Sequence, residues 1–219
     1  MTAIKEKQLT RLTDHPINTY LGQLPNGLSV YMSVNDEEPR IQTQIVVKAG
    51  FQDDPNDTTG LAHYFEHMMF KGTDRMGTQD WEQESKLLGE IEQLFEDHRN
   101  TTDQAKKQEI YARIDQLSAE AAKYAVPNEF DKLLSTIGAK ETNAYTSFDQ
   151  TGFLNNIPAN ELERWLKIEQ ERFRNPVLRL FHTELETVYE EFNMRTQDSD
   201  QGKIFDALFR GLFQAHNYG

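Results

Sequence analysis

Apolar positions along the chain repeat with two periods, and the changes of period mark out the elements. Residues 26–34, NGLSVYMSV, alternate around Leu28, Val30 and Met32 after an Asn-Gly turn, which predicts a strand. Residues 41–49, IQTQIVVKA, predict a second strand that becomes more fully apolar toward its end. The stretch 51–60, FQDDPNDTTG, collects turn formers, and Thr58 or Thr59 is placed to cap a helix carrying HYFEHMMF, residues 63–70. Over 79–126 the period turns helical, through Leu87, Leu88, Ile91, Leu94 and Phe95 and then Ile110, Ile114, Leu117 and Ala121. HRNTTDQ between the two runs supplies turn and cap residues, so 79–126 reads as a helical hairpin packed back on its own domain, with too few heptads for a long coiled coil.

Beyond the hairpin, NAYTSFDQTGFLNNIP (143–158) predicts two extended pieces rich in Tyr, Thr and Phe and closed by Pro158. Leu162, Trp165, Leu166 and Phe173 then mark an amphipathic helix ending near Asn175 and Pro176. A further helix is expected from about Phe181 through EEFNMR, and the tail IFDALFRGLFQAHNYG (204–219) is helical in pattern with no terminal cap. No internal repeat or low-complexity tract interrupts this order.

Composition narrows the function classes. A chain of 219 residues with 37% apolar and 27% charged side chains can bury one sizeable core or two small ones. A net charge of −13 without a Lys/Arg stripe argues against nucleic acid. The acidic balance suits solubility or basic peptides. No apolar run is long enough to span a bilayer. The polar start, MTAIKEKQLTRLTDHP, has no apolar core of a signal peptide, which leaves the compartment undetermined: cytoplasmic, or periplasmic had a leader been removed. With no cysteine, thiol catalysis is excluded and any metal must be held by nitrogen and oxygen.

The chemistry concentrates in HYFEHMMF. A helix turns about 100° per residue, so His63 and His67 stand one above the other and can share one zinc ion. Glu66 lies near the same face, where it can reach a water on the metal without ligating the metal itself. HxxEH is the reversal of the HExxH order of zinc peptidases and works by the same geometry. A third ligand must be a carboxylate from elsewhere, and FHTELETVYEEFNMR (181–195) offers candidates. Glu184 and Glu191, two turns apart, share a face, whereas Glu186 and Glu190 share another that is directed to solvent. Histidine pairs at this spacing also occur in helices that bind nothing, and HxxEH arises by chance in unrelated chains. The apolar company of Leu61, Phe65, Met68 and Phe70 sharpens the signal, because unpartnered imidazoles on a buried helix are costly.

Three separated motifs resemble one family. GLAHYFEHMMFKGT (60–73) is similar to the zinc-site helix of the pitrilysin, insulinase and mitochondrial processing peptidase family, and NAYTSFDQTGF (143–153) to its strand beside the active site. Glu184, Val188 and Glu191, followed by FNMR, resemble its downstream ligand helix. The resemblance implies an α+β fold, a mixed and mostly antiparallel sheet packed against helices, with 79–126 inserted as a hairpin within a single N-terminal zinc-peptidase domain over 1–219. The gap from His67 to Glu191 is about fifty residues longer than the usual spacing of the family, which that insertion accounts for.

Roles follow from the same resemblance. His63, His67 and Glu191 would bind Zn2+, and Glu66 would be the general base that activates the zinc-bound water. Glu184 would be a supporting acid that orients the site, and Asn143 and Ala144 would lie on an edge strand pairing with the backbone of an extended peptide. Family members are built from repeated α/β domains, so the implied partners are peptide substrates and a second α/β half or subunit closing over the first. This chain would hold roughly the first domain, cut short of a strand expected after HNYG. The implied function is a zinc-dependent endopeptidase domain, inactive alone where the distant half supplies substrate clamps. Two alternatives remain: a non-catalytic scaffold or substrate-binding subunit of the same architecture, and a helical interaction module centred on 79–126.

Overall fold

The alternation around Val30 and Met32 builds β3 (Ser29–Ser33), which pairs antiparallel with β2 (Thr19–Gln23) so that Tyr20 faces Met32 and Leu21 faces Tyr31. Gly27, at φ +90°, supplies the left-handed turn residue that lets Gly27 N–H reach Leu24 O at 2.9 Å. A two-residue β1 (Thr10–Arg11) adds to the other side of β2, giving the order β1-β2-β3. The computed structural model describes residues 9–13, 16–194, 199–216 and 218. Its packing divides the chain into two compact units, Met1–Arg40 and Ile41–Gly219. The sequence pattern revealed β3 but not β1 or β2, whose short polar stretches carry little alternation.

The second unit contains the other sheet, in the order β4-β6-β5, formed by β4 (Arg40–Val47), β5 (Lys140–Thr146) and β6 (Thr151–Pro158). β5 runs antiparallel to β6 with Asn143 opposite Leu154 and Ala144 opposite Phe153, and β6, in the middle, is the more deeply buried strand. Burying Asn155 there costs little because its polar atoms are paired: Thr142 Oγ1 donates to its Oδ1 at 3.1 Å and Thr43 Oγ1 to its carbonyl at 3.0 Å. Ile157 packs with Phe130, Leu134, Ile137, Trp165 and Met76 into the main core, to which Ile41, Ile45 and Phe70 add.

Among the described residues seven α-helices follow in chain order, of which α1, α4 and α5 pack on this sheet: α1 (Leu61–Met68), α2 (Trp81–Asn100), α3 (Gln104–Ala121), α4 (Glu129–Thr136), α5 (Leu162–Arg174), α6 (Phe181–Phe192) and α7 (Asp200–Leu212). This is the expected α+β class, with antiparallel strands packed against helices. The hairpin is α2 and α3, started by Asp80 accepting from Gln83 N–H and by Asp103 accepting from Ala105 N–H. On α3 the buried stripe is the one read from the sequence, Ile110, Ile114, Leu117 and Ala121. Leu87, Leu88, Ile91, Leu94 and Phe95 of α2 are only half-buried, and the buried residue of that helix is Glu84. α4 was not foreseen, since eight residues give too little periodicity to separate from a loop. α7 stops at Leu212, so the tail is helical over less of its length than its pattern suggests. The expected end of α6 at Arg195 lies outside the described residues. No described helix is long and apolar enough to cross a membrane.

The start of α1 corrects one expectation. Neither Thr58 nor Thr59 caps it: the cap position is Gly60, at φ +91°. The carboxylate of Asp54, six residues upstream, accepts from Gly60 N–H at 2.7 Å and from Ala62 N–H at 2.9 Å. Those are orphan donors at a helix N-terminus, where negative charge is also favoured. Asp54→Ala should therefore lower stability by about 1 kcal/mol, seen as a fall of about 2–4 °C in Tm. An unchanged melting curve would show that the carboxylate contributes nothing to the helix.

Candidate metal centre

α1 is oriented by the side chains it buries. Tyr64 and Met68 pack against Val188 and Phe181 of α6. The Tyr64 ring meets Phe181 edge-on at 5.0 Å, and its hydroxyl donates to the Phe181 carbonyl at 2.7 Å. Burial, helped by the nearby Glu184 carboxylate, pushes the Tyr64 phenol well above its ordinary pKa, so it remains a neutral donor. With that stripe of α1 committed to packing, His63, Glu66 and His67 occupy a separate stripe of the helix.

α6 answers with a stripe of its own. Glu184, Val188 and Glu191 follow i, i+4, i+7, so one buried valine packs on α1 while the two carboxylates flank it along the same face. Glu191 Oε2 lies 3.4 Å from His67 Nε2 and 3.8 Å from His63 Nε2. The two imidazoles are 4.9 Å apart and nearly perpendicular. One donor atom from each of His63, His67 and Glu191 falls within 4.8 Å of the others. Two bonds of about 2.1 Å at a tetrahedral angle would place ligand atoms about 3.4 Å apart. The three side chains therefore fit a zinc-sized ion with small rotamer adjustments. Glu186 and Glu190 are exposed, as their spacing indicated.

Glu184 acts on His67 from the other ring nitrogen. Its Oε1 is 2.8 Å from His67 Nδ1, and its Oε2 forms an ion pair with Lys71 Nζ. Burial alone would raise this carboxyl, but the hydrogen bonds and charges of Lys71 and His67 hold it below its ordinary pKa. An ionised carboxylate only accepts, so Nδ1 carries the proton of this hydrogen bond, and Nε2, on the side of Glu191, is the nitrogen left for a metal.

Glu66 is buried, and Thr146 Oγ1 donates to its Oε2 at 2.5 Å. Thr146 ends β5, so this bond ties α1 to that strand. Asn143 and Ala144 lie on the same strand, which pairs on one side with β6 and is an edge of the sheet. Sequence reasoning missed Lys71, Thr146 and Asp54. Lys71 had one available signal, since His63, His67 and Lys71 are spaced by four. Thr146 and Asp54 had none, because their partners are remote or non-periodic.

A donor set of two imidazoles and one carboxylate, on two packed helices beside an antiparallel sheet, is the kind of arrangement that suits zinc. Residues 30–117 match the model of the insulinase family, peptidase family M16, a span that includes α1 and stops before α6. Over 88 residues, 40% of this chain, it is 34% identical to a probable mitochondrial-processing peptidase subunit beta of Arabidopsis thaliana. Over 78 residues, 35% of this chain, it is 31% identical to the probable zinc protease PqqL of Haemophilus influenzae. The chain spans only 17% and 8% of these two relatives. In fold it is similar to a protease from Helicobacter pylori, with a TM-score of 0.63 at 22% identity over 92% of this chain and 37% of that one.

Proposed function

We propose that this chain provides the zinc-binding half-site of a metalloendopeptidase, with His63, His67 and Glu191 as metal ligands and Glu66 as the general base. The convergence of Glu191 Oε2 on both imidazoles, with His67 fixed from behind by Glu184, carries this reading. The family match over α1 and a relative described as a zinc protease support it.

Zinc, when bound, supplies Lewis acidity toward water and toward a peptide carbonyl. The rest is done by the chain. Glu66 holds Oε2 on the Thr146 hydroxyl, which fixes the carboxylate plane and assigns Oε1 to take the proton of the attacking water. The same oxygen then returns that proton to the leaving amine. Glu184 keeps His67 in its Nδ1–H tautomer throughout. Asn143 and Ala144 offer the backbone of an edge strand, so substrates are peptides in extended conformation, read by main-chain pairing more than by sequence. A relative described as a subunit supports a second half or partner closing over this face. In this reading α2 and α3 are an insertion, since they separate the two helices of the site without supplying a ligand.

The ligand set is tested by metal content. The chain should bind one zinc, and His63→Ala or Glu191→Ala should each remove stoichiometric binding by about 100-fold or more in affinity. Glu190→Ala, on the exposed face, should leave it intact. Zinc retained by Glu191→Ala and lost by Glu190→Ala would reassign the third ligand.

A further inference from the structure

The site described above leaves unused a deeply buried ion pair of the chain. Glu84 of α2 is 0% exposed and Arg179, between α5 and α6, is 2% exposed. Arg179 Nε and Nη2 donate to the two Glu84 oxygens at 2.5 and 2.8 Å, a bidentate pair. The remaining donors go to main-chain carbonyls, Nη1 to Lys71 O at 2.7 Å and Met76 O at 3.3 Å, and Nη2 to Thr73 O at 3.0 Å. Every nitrogen of the guanidinium is engaged, which is what a buried charge requires.

The loop from Lys71 to Gly77 is shaped around this group. Gly72 and Gly77 have φ of +100° and +84°, and a Cβ on either would come within 3.0 or 2.9 Å of Arg179 Nη1. On one side the held loop begins at Lys71, four residues after His67, whose ammonium meets Glu184. On the other side Arg179 is followed by Leu180, at φ +58° and ψ +33°, and then by Phe181, the first residue of α6. A leucine persists in the left-handed region only where its surroundings force it there. One buried side chain thus fixes both the exit from α1 and the entry to α6.

We propose that Glu84 and Arg179 are positioning residues for the metal site. They set the register of α6 against α1, so that Glu184 stays on His67 Nδ1 and Glu191 stays opposite both imidazoles. The need is geometric: a slip of one residue rotates a helical position by about 100° and carries Glu191 off the shared face. Because Glu84 belongs to α2, the hairpin is coupled to a site it does not line. This inference rests on the zinc reading of the site.

The test separates positioning from plain stability. In the 219-residue chain, Glu84→Gln removes the charge and keeps the shape, while Arg179→Lys keeps the charge and loses the fork. Zinc dissociation constants are measured at a temperature where circular dichroism shows every variant folded, beside Leu134→Ala as a control destabilised in the main core. Glu84→Gln and Arg179→Lys should weaken zinc by about 10–100-fold, and Leu134→Ala should leave it unchanged. Wild-type affinity in both pair variants, or equal loss in the control, overturns the proposal. A second readout needs no metal: nitrogen-15 spectra of the imidazoles should show the hydrogen-bonded His67 Nδ1–H in the wild type and its loss in both variants. An unchanged His67 signal also overturns it. Should the wild type take up no zinc, the metal reading falls, and the His67 signal alone then decides whether the pair positions α6.

Discussion

Glu66→Gln is expected to leave one zinc bound per chain and to lower kcat for peptide hydrolysis by about 10²–10⁴, measured in the assembly that carries the activity. The substitution is nearly isosteric. A glutamine side-chain oxygen can still accept from Thr146 Oγ1, so the side chain keeps the place that its hydrogen bond gives it. What it loses is the ability to take a proton at the other oxygen and return it to the leaving amine. Because Glu66 does not belong to the ligand cluster of His63, His67 and Glu191, metal content should not move with it. KM should change little, since the backbone pairing assigned to β5 is untouched. Turnover that survives the substitution removes Glu66 from the role of base. A complete assembly that binds zinc yet hydrolyses no peptide would favour the non-catalytic scaffold instead.

The positions of this site were more legible than the contacts that hold it. His63 and His67 share a stripe because of spacing alone, and Glu184 and Glu191 share one for the same reason, so helical periodicity is enough to name both faces. Periodicity does not say that the faces meet. In the structure Val188, midway between the two carboxylates, packs with Tyr64 and Met68, and this burial brings α6 onto α1 across more than a hundred residues of chain. The individual roles came from the family resemblance, not from the pattern.

Other parts were illegible for physical reasons. Asp54 caps α1 from outside the helix through a loop whose path the sequence does not specify, so the nearer threonines looked better placed. Glu84 sits in a stretch of α2 rich in Glu and reads as one more solvated acid, yet it is buried on Arg179. Such a group is recognised only once its partner is seen, because what makes its burial tolerable is a bond to a residue far along the chain. β2 was missed for the opposite reason: YLGQ has too few apolar residues to show an alternation, and its pairing with β3 defines it.

The same limit hid Arg172, whose replacement by methionine is expected to cost about 3–5 kcal/mol at neutral pH. Arg172 and Glu169 of α5 are both almost wholly buried, and Arg172 Nε donates to Glu169 Oε2 at 3.0 Å, with Nη2 bound to the same oxygen. The guanidinium carbon lies over four phenyl rings, 4.3 Å from Phe153, 4.5 Å from Phe130, and 5.2 Å from both Phe70 and Phe173. Burial pushes the Glu169 carboxyl above its ordinary pKa, against the opposing pull of the Arg172 charge and hydrogen bonds. Arg172→Met removes that pull and leaves the carboxylate alone among aromatic rings, so its folded pKa rises further above the unfolded value. The folded variant then binds a proton more tightly than the unfolded chain, and stability returns as pH falls through that interval. Urea denaturation should accordingly show the deficit largest at pH 7 and smaller toward the ordinary carboxylate range. Removing both charges together, as Glu169→Leu with Arg172→Met, should recover most of the loss, because no unpaired charge remains. A single substitution costing less than about 1 kcal/mol, or a deficit that grows on acidification, would mean that the pair is not the buried, coupled unit its contacts describe.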